Sequence, residues 1–366
     1  MVKKKALVCP LDWGIGHATR CIPVISCLMD LGFEVVVAAG GRPLEFIRKE
    51  YPQINVIEFP GVAIDYPKTN RIALKMSKLL PALLYGIWHD HRTLKKITDK
   101  VQPALIISDN RYGCWSNSTP SVFITHQLNI QVSGNLKFIQ GFLNSVNYWF
   151  IKKYKACWIP DFEPHRGLAG ELSHPRKLPG NAEYIGLLSR FSDVSERYLK
   201  NVPPEFDLLV MLSGPEPQRT ILEDKILLQL VNLNMQVAMV RGMPESDEAY
   251  ILDERIHLFS HLNSLRLSEL INKSAMVVCR SGYSSIMDMA TLGKRAIFIP
   301  TPGQTEQEYL ARYLMEKKIY FSMRQDDFDL VYAIEMSVNY PGMVIKSDYK
   351  FLKEQIKAVT TPDFPA

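Results

Sequence analysis

Apolar residues in this chain fall into short runs, separated by longer stretches in which they recur every three or four positions. Short apolar runs read as strands buried on both faces, and the three-to-four-residue period reads as helices packed over them. In the first half the runs predict strands at Lys5–Pro10, Glu34–Ala39, Asn55–Phe59, Ala104–Ser108, Val122–Thr125 and Ala156–Ile159. The stretch Ala18–Leu31 predicts a helix that Gly32 closes. The pattern restarts after a polar segment ending in Pro203-Pro204, with strands expected at Leu208–Leu212, Gln236–Val240, Ile256–Phe259, Met276–Cys279, Ala296–Ile299 and Ile319–Phe321. Helices are expected there at Ile221–Leu233, Ser284–Leu292 and Gln307–Lys317. The alternation predicts an α/β protein of two doubly wound Rossmann-like domains facing each other across a cleft. The expected limits are a first domain at 1–186, a linker at 187–206, a second domain at 207–345, and a tail at 346–366. A helix at Ser347–Ala358 in that tail would pack back toward the first domain.

With 366 residues, 47% of them hydrophobic and 22% charged, the chain has material for two cores. No apolar run is long enough to predict a membrane span, and the Lys-rich start meets Asp12 too soon for a signal peptide. The six cysteines form no CxxC pair, as expected of reduced core thiols in a cytoplasmic protein. Charge is unevenly shared. Residues 1–185 hold 23 Lys and Arg against 14 Asp and Glu, a net +9, while the rest hold 20 against 24, a net −4. A basic first half suits anionic lipid or an anionic acceptor; no nucleic-acid motif accompanies it, so nucleic acid is not an expected partner.

In such sheets ligands bind beyond the carboxyl ends of strands, so residues just after strands carry the chemistry. Gly14-Ile-Gly16-His17 follows the first strand and opens a helix. The glycines suit either close approach of backbone amides to a ligand or a plain tight turn. A nicotinamide-dinucleotide fingerprint would want a third glycine where Thr19 stands. His17, at a helix start that disfavours its charged form, is a candidate proton acceptor, or else a residue that hydrogen-bonds its own loop. Asp109 after another strand could orient His17, or cap the turn that follows it. Thr125-His126-Gln127-Leu128-Asn129 offers polar groups that suit either acceptor hydroxyls or loop bonds.

In the second half, Ser213-Gly214 is a turn able to present amides to phosphate. The segment Cys279-Arg280-Ser281-Gly282-Tyr283-Ser284-Ser285 reads as strand, glycine turn and helix start, a site for a diphosphate without a metal. Asp288, one turn further, could hold a ribose diol, or pair with the helix dipole. Gln304, Glu306 and Gln307 begin another helix and could grip sugar hydroxyls. Asp161-Phe-Glu163 has the shape of a metal-binding DxD but follows the last strand of its domain, so no metal ligand is expected.

This ordered set resembles the family 28 glycosyltransferases and their GT-B relatives, among them the peptidoglycan enzymes that add N-acetylglucosamine to a lipid-linked acceptor. The likeness spans most of the chain and is most specific over 276–311. It implies that Gly282, Ser284 and Ser285 face the diphosphate of a UDP-sugar, that Asp288 stands where the family holds ribose with a glutamate, and that Gln304, Glu306 and Gln307 lie near the donor sugar. Gly14, Gly16 and His17 resemble a shortened acceptor loop. His126 and Asn129 resemble the family's acceptor-side stretch, in which a glutamate stands where this chain has Gln127.

The expected activity is inverting, metal-independent transfer of a hexose, N-acetylglucosamine among the candidates, from a UDP-sugar to a carbohydrate or lipid-linked hydroxyl. His17 and Asp109 would supply the base, Arg280 would help the leaving group, and no cofactor would be needed. Leu136-Lys-Phe-Ile-Gln-Gly-Phe-Leu and the aromatics beside Lys152, Lys153 and Lys155 would let the protein rest on anionic lipid at the inner face of the cytoplasmic membrane, or simply form a core helix with a solvated end. The alternatives are a UDP-sugar 2-epimerase of the same architecture and a non-catalytic subunit that binds a nucleotide sugar.

Overall fold

The computed structural model describes residues 3–62, 72–131, 138–192, 203–346 and 349–361. Two seven-stranded sheets organise it. The first is built from β1 (Lys5–Pro10), β2 (Glu34–Ala39), β3 (Asn55–Glu58), β4 (Leu105–Asp109), β5 (Ser121–Ile124), β6 (Ala156–Ile159) and β7 (Ala182–Tyr184), in the order β3-β2-β1-β4-β5-β6-β7 with every pair parallel. The second is built from β8 (Phe206–Met211), β9 (Val237–Val240), β10 (Ala249–Leu252), β11 (Ile256–Phe259), β12 (Ser274–Cys279), β13 (Ala296–Phe298) and β14 (Phe321–Ser322), in the order β10-β11-β9-β8-β12-β13-β14. Its pairs are parallel except β10 with β11.

Every strand foreseen is present to within two residues. Two were missed. β7 has only three residues, and β10 is exposed along its whole length, so neither shows a buried apolar run.

The helices cover both faces of each sheet. Around the first lie α1 (Ile15–Asp30), α2 (Gly41–Glu50), α3 (Ile72–Val101) and α4 (Gln140–Ile151); around the second, α5 (Gln218–Leu230), α6 (Ser264–Asn272), α7 (Tyr283–Leu292), α8 (Thr305–Glu316) and α9 (Leu330–Ser337). Side chains alternate across β1: Ala6 and Val8 join the core under α1, whereas Leu7 and Cys9 join the core with Leu94, Ile97 and Val101 of α3. In the second sheet, Val277 and Cys279 pack with α7 and α8, and Met276 and Val278 with α5 and α9.

The final helix, α10 (Lys350–Thr360), carries Leu352, Ile356 and Val359 into the core beneath α1 of the first sheet. The expected linker is not a solvated tether where it begins. Leu188 packs in the first-sheet core, and Leu187 and Phe191 in the second. Of the segment expected to rest on lipid, 136 and 137 lie outside the described residues, as do 193–202 of the expected linker.

The topology dictates where a ligand goes. Strand order reverses between β1 and β4 in the first sheet and between β8 and β12 in the second. A crevice opens beyond the carboxyl ends at each reversal.

Candidate active site

Both reversals carry candidate residues. At the first, β1 leads through Gly14, whose φ of 89° suits glycine, into α1 with His17 in its first turn. Asp109 is the last residue of β4. The pairing of Pro10 with Asp109 sets the two strand ends side by side. His17 Nδ1 lies 2.6 Å from Asp109 Oδ1, with Asp109 fully buried and the His17 side chain 16% exposed. Arg20, one helical turn beyond His17, grips the same carboxylate through Nε at 3.0 Å and Nη2 at 2.6 Å. Burial alone would raise the Asp109 pKa, but Arg20 and His17 bring it down to about 2. An ionised Asp109 accepts the Nδ1 proton of His17 and leaves His17 Nε2 with its lone pair, the arrangement of a general base held by a carboxylate.

At the second reversal, β12 ends in Cys279 and the chain turns through Arg280, Ser281 and Gly282 into α7. Gly282 is the N-cap and no side chain caps this helix start, so its first amides are unpaired within the helix. Gly282 has open space around it: a Cβ there would meet only Gln307 Nε2, at 3.9 Å. Ser284 Oγ donates to Gly16 O at 2.8 Å, which brings the start of α7 against the start of α1. A Cβ on Gly16 would stand 3.5 Å from that hydroxyl. Two helix N-termini thus converge across the gap between the lobes. Their partial positive charges repel each other and favour an anion between them.

The lobes also meet through His126, Gln127 and Tyr283. His126 follows β5, and its ring stacks on Tyr283 of α7 with centroids 4.3 Å apart. The Tyr283 hydroxyl donates to Pro160 O at 2.8 Å. Burial lowers the His126 pKa, reinforced by Arg20 and His17 and opposed by Glu306. Burial would raise Glu306, but His126, Arg20 and His17 hold it below its ordinary value. The His126 Nε2 to Glu306 Oε1 distance is 2.9 Å, and Gln127 Nε2 donates to the other oxygen of Glu306.

Several expected roles change on contact with this geometry. The Asp288 carboxylate does not face the gap: it is buried, accepts from Ser189 Oγ at 2.7 Å and pairs with Arg190 at 3.2 Å, so it fastens α7 to the chain leaving the first lobe instead of meeting a ribose. Asn129 turns its carboxamide oxygen to Gln140 and Asn144, away from acceptor duty. Arg280 is buried and donates to Gln218 O and Gln325 Oε1, both at 2.7 Å, bracing loops instead of reaching for a leaving group. Burial lowers its pKa to about 10. Glu306 touches the first lobe and not an open sugar site.

Other candidate residues lie at helix starts and in turns after strands. Gln304, Gln307 and Ser281 form one cluster: Gln307 Nε2 donates to Gln304 Oε1 at 2.5 Å, Thr301 N to Gln307 Oε1 at 2.9 Å, and Ser281 Oγ to Gln307 O at 2.9 Å. Ser213 and Gly214 lie just beyond β8, after Leu212, and Gly214 adopts a φ of 103°. Ser285 is half-buried in the first turn of α7. Asp161 is a loop organiser, accepting from Leu168 N, Ala169 N and Ser173 Oγ.

Arg20 was not singled out from the sequence, and Gln127 and Tyr283 stood there only inside longer segments. The spacing of Arg20 from His17, which puts both on one helix face, was the signal available.

Comparison with known proteins finds similarity to glycosyltransferases. Residues 218–340 match the glycosyltransferase family 28 C-terminal domain. A Methanosarcina acetivorans protein described as an uncharacterized glycosyltransferase is 24% identical over 328 residues, 83% of this chain and 81% of that protein. The UDP-N-acetylglucosamine--N-acetylmuramyl-(pentapeptide) pyrophosphoryl-undecaprenol N-acetylglucosamine transferase of Rickettsia akari is 22% identical over 342 residues, 85% of this chain and 84% of its own. Among solved structures, spinosyn rhamnosyltransferase SpnG complexed with thymidine diphosphate superposes with a TM-score of 0.60 at 12% identity, covering 97% of this chain and 95% of that one.

Proposed function

As a family 28-like glycosyltransferase of the GT-B fold, this protein transfers a sugar, and we propose that it does so from a nucleoside diphosphate sugar to an acceptor hydroxyl with inversion. The convergence of the α1 and α7 N-termini, joined by the Ser284–Gly16 contact, carries this reading. An anion is favoured there, and a diphosphate leaving group is the anion that such a transferase releases. UDP is the first candidate, since the Rickettsia akari relative is named for UDP-N-acetylglucosamine.

His17 Nε2 takes the acceptor proton as the hydroxyl oxygen attacks the anomeric carbon and the bond to the diphosphate breaks. Asp109 stabilises the imidazolium that forms. The unpaired amides of α7 and the hydroxyl of Ser285 receive the charge that builds on the leaving diphosphate, so that protein groups do what a metal ion would otherwise do.

The acceptor is taken to be lipid-linked. Trp88 and Arg92 of α3, Phe142 and Trp149 of α4, and the nearby Lys153 make an exposed aromatic and basic surface, with the Lys153 ammonium 4.0 Å over the Trp149 ring. Rings backed by cations suit the headgroup region of an anionic bilayer. No helix among the described residues is long and apolar enough to cross a membrane, so contact would be at its surface.

A thermal-shift series with UDP, UDP-N-acetylglucosamine, thymidine diphosphate and ADP tests the donor assignment. The preferred nucleotide at a hundredfold excess over its dissociation constant adds about 2.7 kcal/mol to folded stability. No stabilisation by any nucleoside diphosphate would remove the assignment.

A further inference from the structure

Arg20 is a buried guanidinium in the first lobe whose three nitrogens each reach a candidate site residue. Nε and Nη2 hold the two oxygens of Asp109, and Nη1 lies 3.1 Å from His126 Nδ1. A guanidinium can only donate hydrogen bonds. His126 Nδ1 is therefore the acceptor, and its proton resides on Nε2, directed at Glu306 Oε1 2.9 Å away. The same cation stands 2.8 Å from His17 Nδ1, although that nitrogen already gives its proton to Asp109.

With Nε and Nη2 on its two oxygens, Arg20 fixes the orientation in which the Asp109 carboxylate meets His17 Nδ1.

We infer that Arg20 is a positioning residue: it fixes the tautomer of His126, so that His126 points an Nε2–H donor at Glu306 of the second lobe, and it orients the carboxylate that holds His17. The inference rests on the proposed role of His17. The ionisable groups around the pair are Asp109 from β4, Glu306 from α8, Tyr283 from α7, Cys9 from β1 and Cys21 of α1 itself. Of these, Asp109 and Glu306 carry charge near neutrality, and both contact a histidine that Arg20 reaches.

The test uses the full chain with nitrogen-15 in its histidines, the His17 and His126 signals being assigned from His17→Gln and His126→Gln. In the wild type the expected tautomers are Nδ1–H for His17 and Nε2–H for His126. In Arg20→Met His126 should populate both tautomers, and kcat should fall while KM for the donor stays unchanged. Arg20→Lys keeps the charge but loses the two-point grip, and it should not restore the single His126 tautomer.

A folded Arg20→Met protein with a single, unchanged His126 tautomer would overturn the inference. Should Arg20→Met fail to fold, the His126 tautomer in Arg20→Lys decides in its place. His17→Ala separates the two ideas: full transfer activity in that variant ends the base assignment, whereas the tautomers still judge Arg20.

Discussion

Asp109 is a buried carboxylate with three donors, two from Arg20 and one from His17. Its pKa is held down to about 2, below the ordinary carboxylate value, because Arg20 and His17 outweigh the burial that opposes ionisation. A carboxylate with a lowered native pKa stabilises the fold above its unfolded pKa and loses that contribution as pH falls toward its native one. The window here runs from about pH 4 down to about pH 2. Asp109→Asn leaves the Arg20 guanidinium buried without its counter-charge, which should cost on the order of 3–5 kcal/mol at pH 7. Urea unfolding midpoints of wild type and variant at pH 7 and pH 3 measure the gap, which should be wide at the first and narrower at the second. A gap independent of pH would mean that Asp109 is not ionised in the folded protein.

At the scale of elements, α7 is the part on which the donor site depends. Its start has no side-chain cap, and its end closes on Gly293 with a left-handed φ of 62°. Between them Ile286, Met287, Met289 and Ala290 are buried in the second core, so the helix start is held by a packed body and not by the loop alone. Gly282 has φ −68° and space around it, so a larger residue is tolerated by the backbone. Gly282→Leu should fold with an unchanged melting temperature and yet lose nucleotide stabilisation, because the side chain would occupy the place assigned to phosphate. Calorimetry with UDP reads this directly: affinity equal to wild type would show that phosphate does not bind at this turn.

At the scale of the whole molecule, the two lobes are tied by unlike fastenings. Near the hinge, Asp288 of α7 meets Ser189 and Arg190, and the Tyr349 hydroxyl donates to Ser189 O. At the rim, Arg42 pairs with Glu245 and Lys49 with Asp247 in exposed bridges that contribute little individually. The last helix is part of this plan, since α10 comes after the second sheet in sequence but fills the core of the first. Ile356→Ala should destabilise by about 2–5 kcal/mol. Hydrogen exchange should show the loss of protection in β1 and β2, with β12 and β13 little changed. Equal loss in both sheets would mean that the two lobes unfold as one unit.

The apolar runs determined the parallel strands, because a strand buried on both faces has to be apolar throughout, and most of the helices' places followed from them. They also marked His17, Asp109 and the Gly282 turn as candidates, since each lies at or shortly beyond the carboxyl end of a strand where strand order reverses. Residues that act through partners distant in sequence were beyond that reach. Arg20 looked like an ordinary helical arginine until β4 and the loop after β5 brought Asp109 and His126 to its nitrogens. Asp288, Asn129 and Arg280 had suitable chemistry in suitable places, yet folding gave each a nearer partner. A side chain's period along the chain decides which face it occupies. Which group it meets there is decided by elements dozens to hundreds of residues away, and only the packed structure brings them together.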